Sequence, residues 1–243
     1  MADITDRTGN IFTTSCEVVT ITVNCEGVMG AGIALEGRFR WPEMYRQYAN
    51  LCTKGLMKPG VLDWWGPDDR GKRVLCLPTK AGWRQPSRIE FIRKGLRTLV
   101  DEYTDQGVAS IAMPHLGCSQ GGLVWDQVRP LMVDALEPRE DLTVELWEFD
   151  PRAEDPDYET LVELLGNRSP EEVGQRLDLD KRGVNALLEA VGSPRVVNLA
   201  SLQNARGVGE KTLEKVYDFL FRGTDDHHQS KLFEDCGGQE PRV

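Results

Sequence analysis

Residues 18–35 read VVTITVNCEGVMGAGIAL, a β-branched run that ends at Asn24, passes through Gly27, Gly30 and Gly32, and resumes as an apolar run of helical character. Val, Ile and Thr suit a pleated, partly buried surface, so residues 18–23 are expected to form a strand. A strand that breaks into glycines and then opens a helix brings bare backbone N–H groups toward an anion. The first turn of a helix has no internal partners for those groups and carries the positive end of the dipole. Two readings stand side by side: a phosphate-type ligand loop, and a strand-to-helix turn that uses glycine for close packing.

The same alternation continues to residue 149. WPEMYRQYANLCTKG has a proline near its first turn and places Met44, Tyr45, Tyr48 and Leu51 at helical spacing. VLDWW (61–65) and KRVLCLPTK (72–80) flank GPDDRG as the arms of a hairpin. PSRIEFIRKGLRTLVDEY sets Ile89, Ile92, Leu96, Leu99 and Tyr103 on one stripe, with Arg88, Arg93, Lys94 and Arg97 mainly off it. Those bases suit a solvated helix face, or a surface that tracks phosphates. SIAMP (110–114) is a short buried-type strand, HLGCSQGGL a second glycine loop, WDQVRPLMVDAL a helix and LTVELWEF (142–149) a closing strand. Strands separated by amphipathic helices predict an α/β fold, a sheet with helices on both faces. In such folds ligands sit beyond the carboxyl ends of the strands, where both glycine loops fall.

The totals bound the function classes. With 243 residues, 40% hydrophobic and 28% charged, the chain is globular, with room for one ordinary domain and a small second module. It has no apolar run of membrane-spanning length, and MADITDRTGN lacks the features of a signal peptide, so a cytoplasmic monomer with no membrane contact is expected. Six cysteines at 16, 25, 52, 76, 118 and 236 never fall in a CxxC pair, and the histidines are His115, His227 and His228, so no metal site is expected and the thiols are read as reduced. The net charge of −10 argues against a nucleic-acid partner by itself, but the surplus acid concentrates in residues 150–168 (net −4) and in the tail from Gly223 (net −3). Residues 1–149 carry −3 and residues 169–222 are neutral. The expected division is a domain over 1–150, an acidic linker over 151–168 in which a short helix can be drawn from Tyr158 to Leu165, a helical module over 169–222 and a flexible tail over 223–243.

The pairing of NCEGVMGAGIAL with MPHLGCSQGGLVW resembles the macrodomain family of ADP-ribose binders and hydrolases. Within it, GNI (9–11), TVNC, WPEMYRQY, LPTKAGWR (77–84), SRIE (87–90) and MPHLGC resemble the DarG-type DNA ADP-ribosyl glycohydrolases over about the first 150 residues. The resemblance implies a macrodomain whose ligand is ADP-ribose, with no further cofactor. Loop one, with Asn24, Cys25, Val28, Met29, Gly30, Ala31, Gly32 and Ile33, would wrap the distal ribose, and the Asn24 amide would meet its hydroxyls. Loop two, with Gly117, Cys118, Ser119, Gln120, Gly121, Gly122 and Leu123, would donate N–H groups to the diphosphate. Asn10, beside Ile11, replaces the family's acidic adenine contact.

Lys80 is the implied catalytic residue, assisted by Asn24. As a neutral amine it would attack the anomeric carbon; as a cation it would stabilise the departing base or hold the phosphates. A related branch that acts on protein glutamate has an aspartate where this sequence has Gly121. Glu26 is read as an acid or base, or as a solvated loop residue. Trp83 stacks a nucleobase or packs in the core, the two accounts being equal here, and His115 is an orienting or structural side chain. Cys25 and Cys118 are small hydrophobes rather than nucleophiles.

LDLDKRGVNALLEAVGSPRVVNLASLQNARGVGEKTLEKVYDFL resembles the small all-α helix-hairpin-helix domain at the end of the bacterial RNA polymerase α subunit. Carried over residue by residue, the DNA contacts become Arg182, Asn185, Gly209, Lys211 and Thr212. The implied activity is removal of ADP-ribose from a nucleobase of ADP-ribosylated DNA, with a DarT-like toxin as a partner. The alternatives are a non-catalytic ADP-ribose reader tethered to DNA or to a transcription complex, and a hydrolase of ADP-ribose phosphate or protein esters.

Overall fold

The computed structural model describes residues 1–222, so the tail reading for 223–243 lies outside the described residues. The chain divides into two compact units, the first over Met1–Asp155 and the second from Pro156.

The first unit is built on a six-stranded sheet. Its strands are β1 (Asp3–Gly9), β2 (Val18–Val23), β3 (Asp63–Trp65), β4 (Arg73–Pro78), β5 (Ser110–Pro114) and β6 (Thr143–Phe149), in the order β1-β6-β5-β2-β4-β3. All neighbours are parallel except β3, which returns antiparallel on β4 as the predicted hairpin. Successive strand residues point to opposite faces, and the core divides accordingly. Val18, Leu75, Leu77, Ile111 and Met113 face one helical layer, made by α3 (Ile89–Glu102) through Ile92, Leu96 and Leu99, and by α4 (Trp125–Leu136) through Val128 and Met132. Val19, Ile21, Val74, Cys76 and Ala112 face the other, where Met44 and Tyr48 of α2 (Pro42–Thr53) are fully buried. Between β2 and α2 lies α1 (Gly32–Arg40), whose last turn holds a buried Arg40–Glu36 pair at 2.8 Å.

β1 was not foreseen. Its sequence, DITDRTG, is polar and mostly exposed because it lies at the sheet edge, so it lacks the apolar run that marks an interior strand. The five parallel strands all end on one edge of the sheet. That edge therefore carries Asn10, Asn24, Thr79 with Lys80, His115 with loop two, and Phe149.

The second unit is helical throughout its described residues: α5 (Pro156–Gly166), α6 (Pro170–Leu177), α7 (Lys181–Val191), α8 (Leu199–Leu202) and α9 (Glu210–Arg222). The expected linker over 151–168 is corrected here, because α5 buries Tyr158, Leu161, Leu164 and Leu165 and the Tyr158 hydroxyl donates to the Val196 carbonyl at 2.9 Å. α6 starts in a capping box between Ser169 and Glu172, and α7 on the Asp180 side chain, which accepts from the Gly183 N–H at 2.7 Å.

Candidate functional site

Loop one is shaped by side chains. Asn24 is only 7% exposed. Its amide oxygen accepts from the N–H groups of Glu26 (2.8 Å) and Val28 (3.3 Å) and from the Tyr48 hydroxyl (3.2 Å), while its amide nitrogen donates to the Val28 carbonyl at 2.5 Å. The ribose contact expected of this amide is thereby narrowed: its oxygen and one N–H organise the loop, leaving a single N–H for a ligand. The backbone of Met29, Gly30, Ala31, Gly32 and Ile33 follows, and their N–H groups make no hydrogen bond among the described residues. Gly32 has φ +56°, a conformation side chains rarely adopt, whereas Gly30 has ordinary φ and open surroundings.

Loop two is shaped by the absence of side chains. A Cβ built on Gly121 would stand 2.2 Å from the Gly117 carbonyl oxygen and 2.2 Å from Ser87 Oγ, so no residue but glycine fits. The aspartate of the protein-directed branch is therefore excluded by this packing, not merely missing. Ser87 is buried, its N–H donates to the Gly121 carbonyl at 2.9 Å, and its hydroxyl has no partner among the described residues. Gly117 and Gly122 take φ +71° and +75°. Three consecutive N–H groups, of Ser119, Gln120 and Gly121, make no hydrogen bond among the described residues. Such a run forms a concavity for anionic oxygens.

The segment after β4 joins the loops. Two backbone bonds tie it to loop one, the Thr79 N–H on the Val23 carbonyl and the Cys25 N–H on the Ala81 carbonyl, each at 3.0 Å. Lys80 Nζ then reaches loop two and donates to the Gln120 carbonyl at 2.5 Å. That carbonyl belongs to the peptide group whose N–H is Gly121's, so the ammonium stands beside the anion concavity. Glu26 is an exposed loop carboxylate, as one of its two readings had it, and it is also engaged: it accepts from the Trp83 backbone N–H at 3.0 Å and lies against Gly82, tying loop one to the lysine segment. Trp83 is 47% exposed, which removes the core-packing account, and the Arg84 guanidinium lies 4.5 Å from its ring centroid.

Burial pushes the Cys25 thiol up to about 11 and raises Cys118 as well, so neither is a ready nucleophile at neutral pH. His115 stacks on Trp125 with ring centroids 3.5 Å apart, and burial lowers its pKa against the opposing pull of Glu148 and Asp6. It acts as packing at the base of loop two. Beyond the end of β1, the Asn10 side-chain oxygen accepts from the Phe12 N–H at 3.0 Å, and Ile11 is buried in the core. Phe149, unnoticed in the sequence, is 59% exposed at the end of β6, where it pairs with Gly9 beside Asn10. An exposed ring at a ligand-facing strand end is suited to stacking a base.

In the second unit, Arg182, Asn185, Gly209 and Lys211 are exposed. Thr212, expected to offer its hydroxyl to phosphate, is 7% exposed, and a Cβ on Gly183 would stand 3.5 Å from its Oγ1, so it packs against the first turn of α7. Gly207 likewise approaches Ala186, so the starts of α7 and α9 lie side by side.

The Macro domain family model matches residues 21–132. The DNA ADP-ribosyl glycohydrolase of Thermus aquaticus is 37% identical over 158 residues, covering 64% of this chain and 43% of that protein. This chain thus spans less than half the length of that relative. Among solved structures, the macrodomain of Mycobacterium tuberculosis DarG is 34% identical with a TM-score of 0.59, covering 60% of this chain and 98% of that one. Thermosipho africanus DarTG in complex with ADP-ribose is 30% identical with a TM-score of 0.55, covering 64% and 44%. No helix among the described residues is long and apolar enough to cross a membrane.

Proposed function

We propose that this chain, which belongs to the macrodomain family, is an ADP-ribosyl glycohydrolase that frees ADP-ribose from a nucleobase of DNA. The observation that carries the proposal is the 2.5 Å bond from Lys80 Nζ to the Gln120 carbonyl, which holds an ammonium where the lysine segment meets loop two. The diphosphate sits on the N–H groups of Ser119, Gln120 and Gly121, with the adenine toward Phe149 and Asn10. The distal ribose then lies against residues 29–33, and its anomeric carbon comes near Lys80. The C–N bond breaks with its electron pair leaving on the base; water supplies hydroxide to the anomeric carbon and its proton to the base. Lys80 stabilises the charge that develops on the departing base. A DarT-like transferase is the class of enzyme that would supply this substrate, and it is the partner we assign.

Lys80→Ala should lower turnover of ADP-ribosylated single-stranded DNA by about 100-fold or more while ADP-ribose binding survives. Lys80→Arg separates the roles: partial activity fits a cation, whereas no activity fits a nucleophile. Saturable ADP-ribose binding with no turnover in the unaltered chain would instead identify a reader.

In the same proposal the second unit holds DNA through Arg182, Asn185, Lys211 and the N–H groups at Gly209, mainly by phosphate contacts. The double variant Arg182→Ala, Lys211→Ala should weaken DNA binding a few-fold, flatten its salt dependence and leave ADP-ribose binding unchanged. Equal salt slopes would remove the second unit from the DNA contact.

A further inference from the structure

Residues 80–100 carry six bases and one acid, a local net charge of +5 in a chain of −10. Arg84, Arg88, Arg93, Lys94 and Arg97 are all exposed, and none makes an ion pair among the described residues. Other bases of the same unit do pair: Arg40 with Glu36, Arg46 with Glu43 and Arg129 with Asp6. Arg93 and Arg97 stand one helical turn apart on α3, a like-charge spacing that weakens a helix. Within this run the two arginines nearest the site lie over rings instead, Arg84 over Trp83 at 4.5 Å and Arg88 over Phe91 at 5.7 Å.

Trp83 adds an independent observation. Its backbone N–H is fixed by Glu26 and its ring is flanked by Arg84, yet the residue remains 47% exposed, three positions from Lys80. A half-exposed indole on a fixed stretch of backbone, bordered by guanidinium groups that make no ion pair among the described residues, combines the two features that hold single strands, a stacking platform and a cationic path for phosphates. An acidic polypeptide would use the charges but has no need of the platform.

We propose that the surface from Trp83 through Arg84 and Arg88 to Arg93 and Arg97 binds the unmodified nucleotides that flank the modified base in a single strand. This rests on the reading of the chain as acting on DNA and adds that the substrate is recognised beyond its ADP-ribose. The flanking base next to the scissile bond stacks on Trp83, and the backbone continues over the arginines toward the outer face of α3. Lys94 lies against Gly60 through its stem and contributes charge at the margin.

The test uses the full chain carrying Arg84→Gln, Arg88→Gln, Arg93→Gln and Arg97→Gln together, with the second unit unaltered in both proteins. ADP-ribose binding and turnover of an ADP-ribosylated nucleoside should be unchanged. The kcat/KM on an ADP-ribosylated 13-nucleotide single strand should fall about tenfold at low salt, with a flatter salt dependence. Trp83→Ala should lower the same quantity without changing the salt slope. Equal kcat/KM and equal slopes for the quadruple variant on the long substrate would overturn the proposal. Fluorescence anisotropy with an unmodified 13-nucleotide strand keeps it separable from the activity reading: if neither protein releases ADP-ribose, weaker binding by the variant still supports the track, and equal binding overturns it. Competition by polyglutamate but not by the oligonucleotide for the same arginines would assign the surface to an acidic protein and also overturn it.

Discussion

The two glycine loops look alike in sequence and are built on opposite principles. Loop one keeps its shape through polar side chains, with Asn24 and Tyr48 bonding its backbone and Glu26 tying it to the backbone N–H of Trp83. Loop two keeps its shape by exclusion, because Gly121 and Gly117 pass so close to Ser87 that a Cβ has no room. A bonded loop loses energy in steps as donors and acceptors are removed. A sterically closed loop fails at once when an atom is added.

The largest expected effect follows from that difference. Gly121→Ala should cost about 3 kcal/mol or more, because the obstructing atom is backbone and cannot rotate away, and displacement of the loop should raise the ADP-ribose Kd about 100-fold. Gly30→Ala is the matching control in loop one: the nearest atom is 3.7 Å away on Val28, and stability should stay within about 0.5 kcal/mol. Thermal melts and calorimetric titration of the pair would decide whether loop two is the closed one. Next comes Asn24→Ala, which strips the partners from the Glu26 and Val28 N–H groups and from the Val28 carbonyl and should cost about 1–3 kcal/mol. An unchanged melt would show that the loop does not depend on this amide. The smallest effect is at Glu26. Glu26→Gln retains an acceptor for the Trp83 N–H and should be near neutral, while Glu26→Ala should cost about 1 kcal/mol and lower turnover a few-fold by loosening the lysine segment. If Gln behaves like Ala, the carboxylate charge matters rather than the bond.

Much of this was legible in the sequence wherever the signal is local. Strand β2, the β3–β4 hairpin and the stripes on α3 and α4 follow from periodicity, and both loops were placed at carboxyl strand ends. What escaped depends on contacts between distant residues. β1 is polar because it is an edge, so no alternation announces it. The role of Asn24 is set by Tyr48, and that of Gly121 by Ser87, and neither pairing has a sequence period. Thr212 has the composition of a phosphate donor, yet Gly183 leaves it room to pack inward. The acidic stretch over α5 reads as linker because its acids outnumber its bases, while four buried residues on one face attach it to the second unit.

The pairing of β1 with β6 carries a consequence for how the protein is made. Asp3 lies opposite Thr143 and Gly9 opposite Phe149, so the first strand of the unit waits during synthesis for its last. Contacts of such long sequence separation slow folding. Asn10 and Phe149 come together only at that final pairing. A nascent chain can thus form the hairpin and both glycine loops early and still lack the strand-end surface shared by Asn10 and Phe149 until β6 has emerged, with a bare strand edge exposed to other chains in the interval.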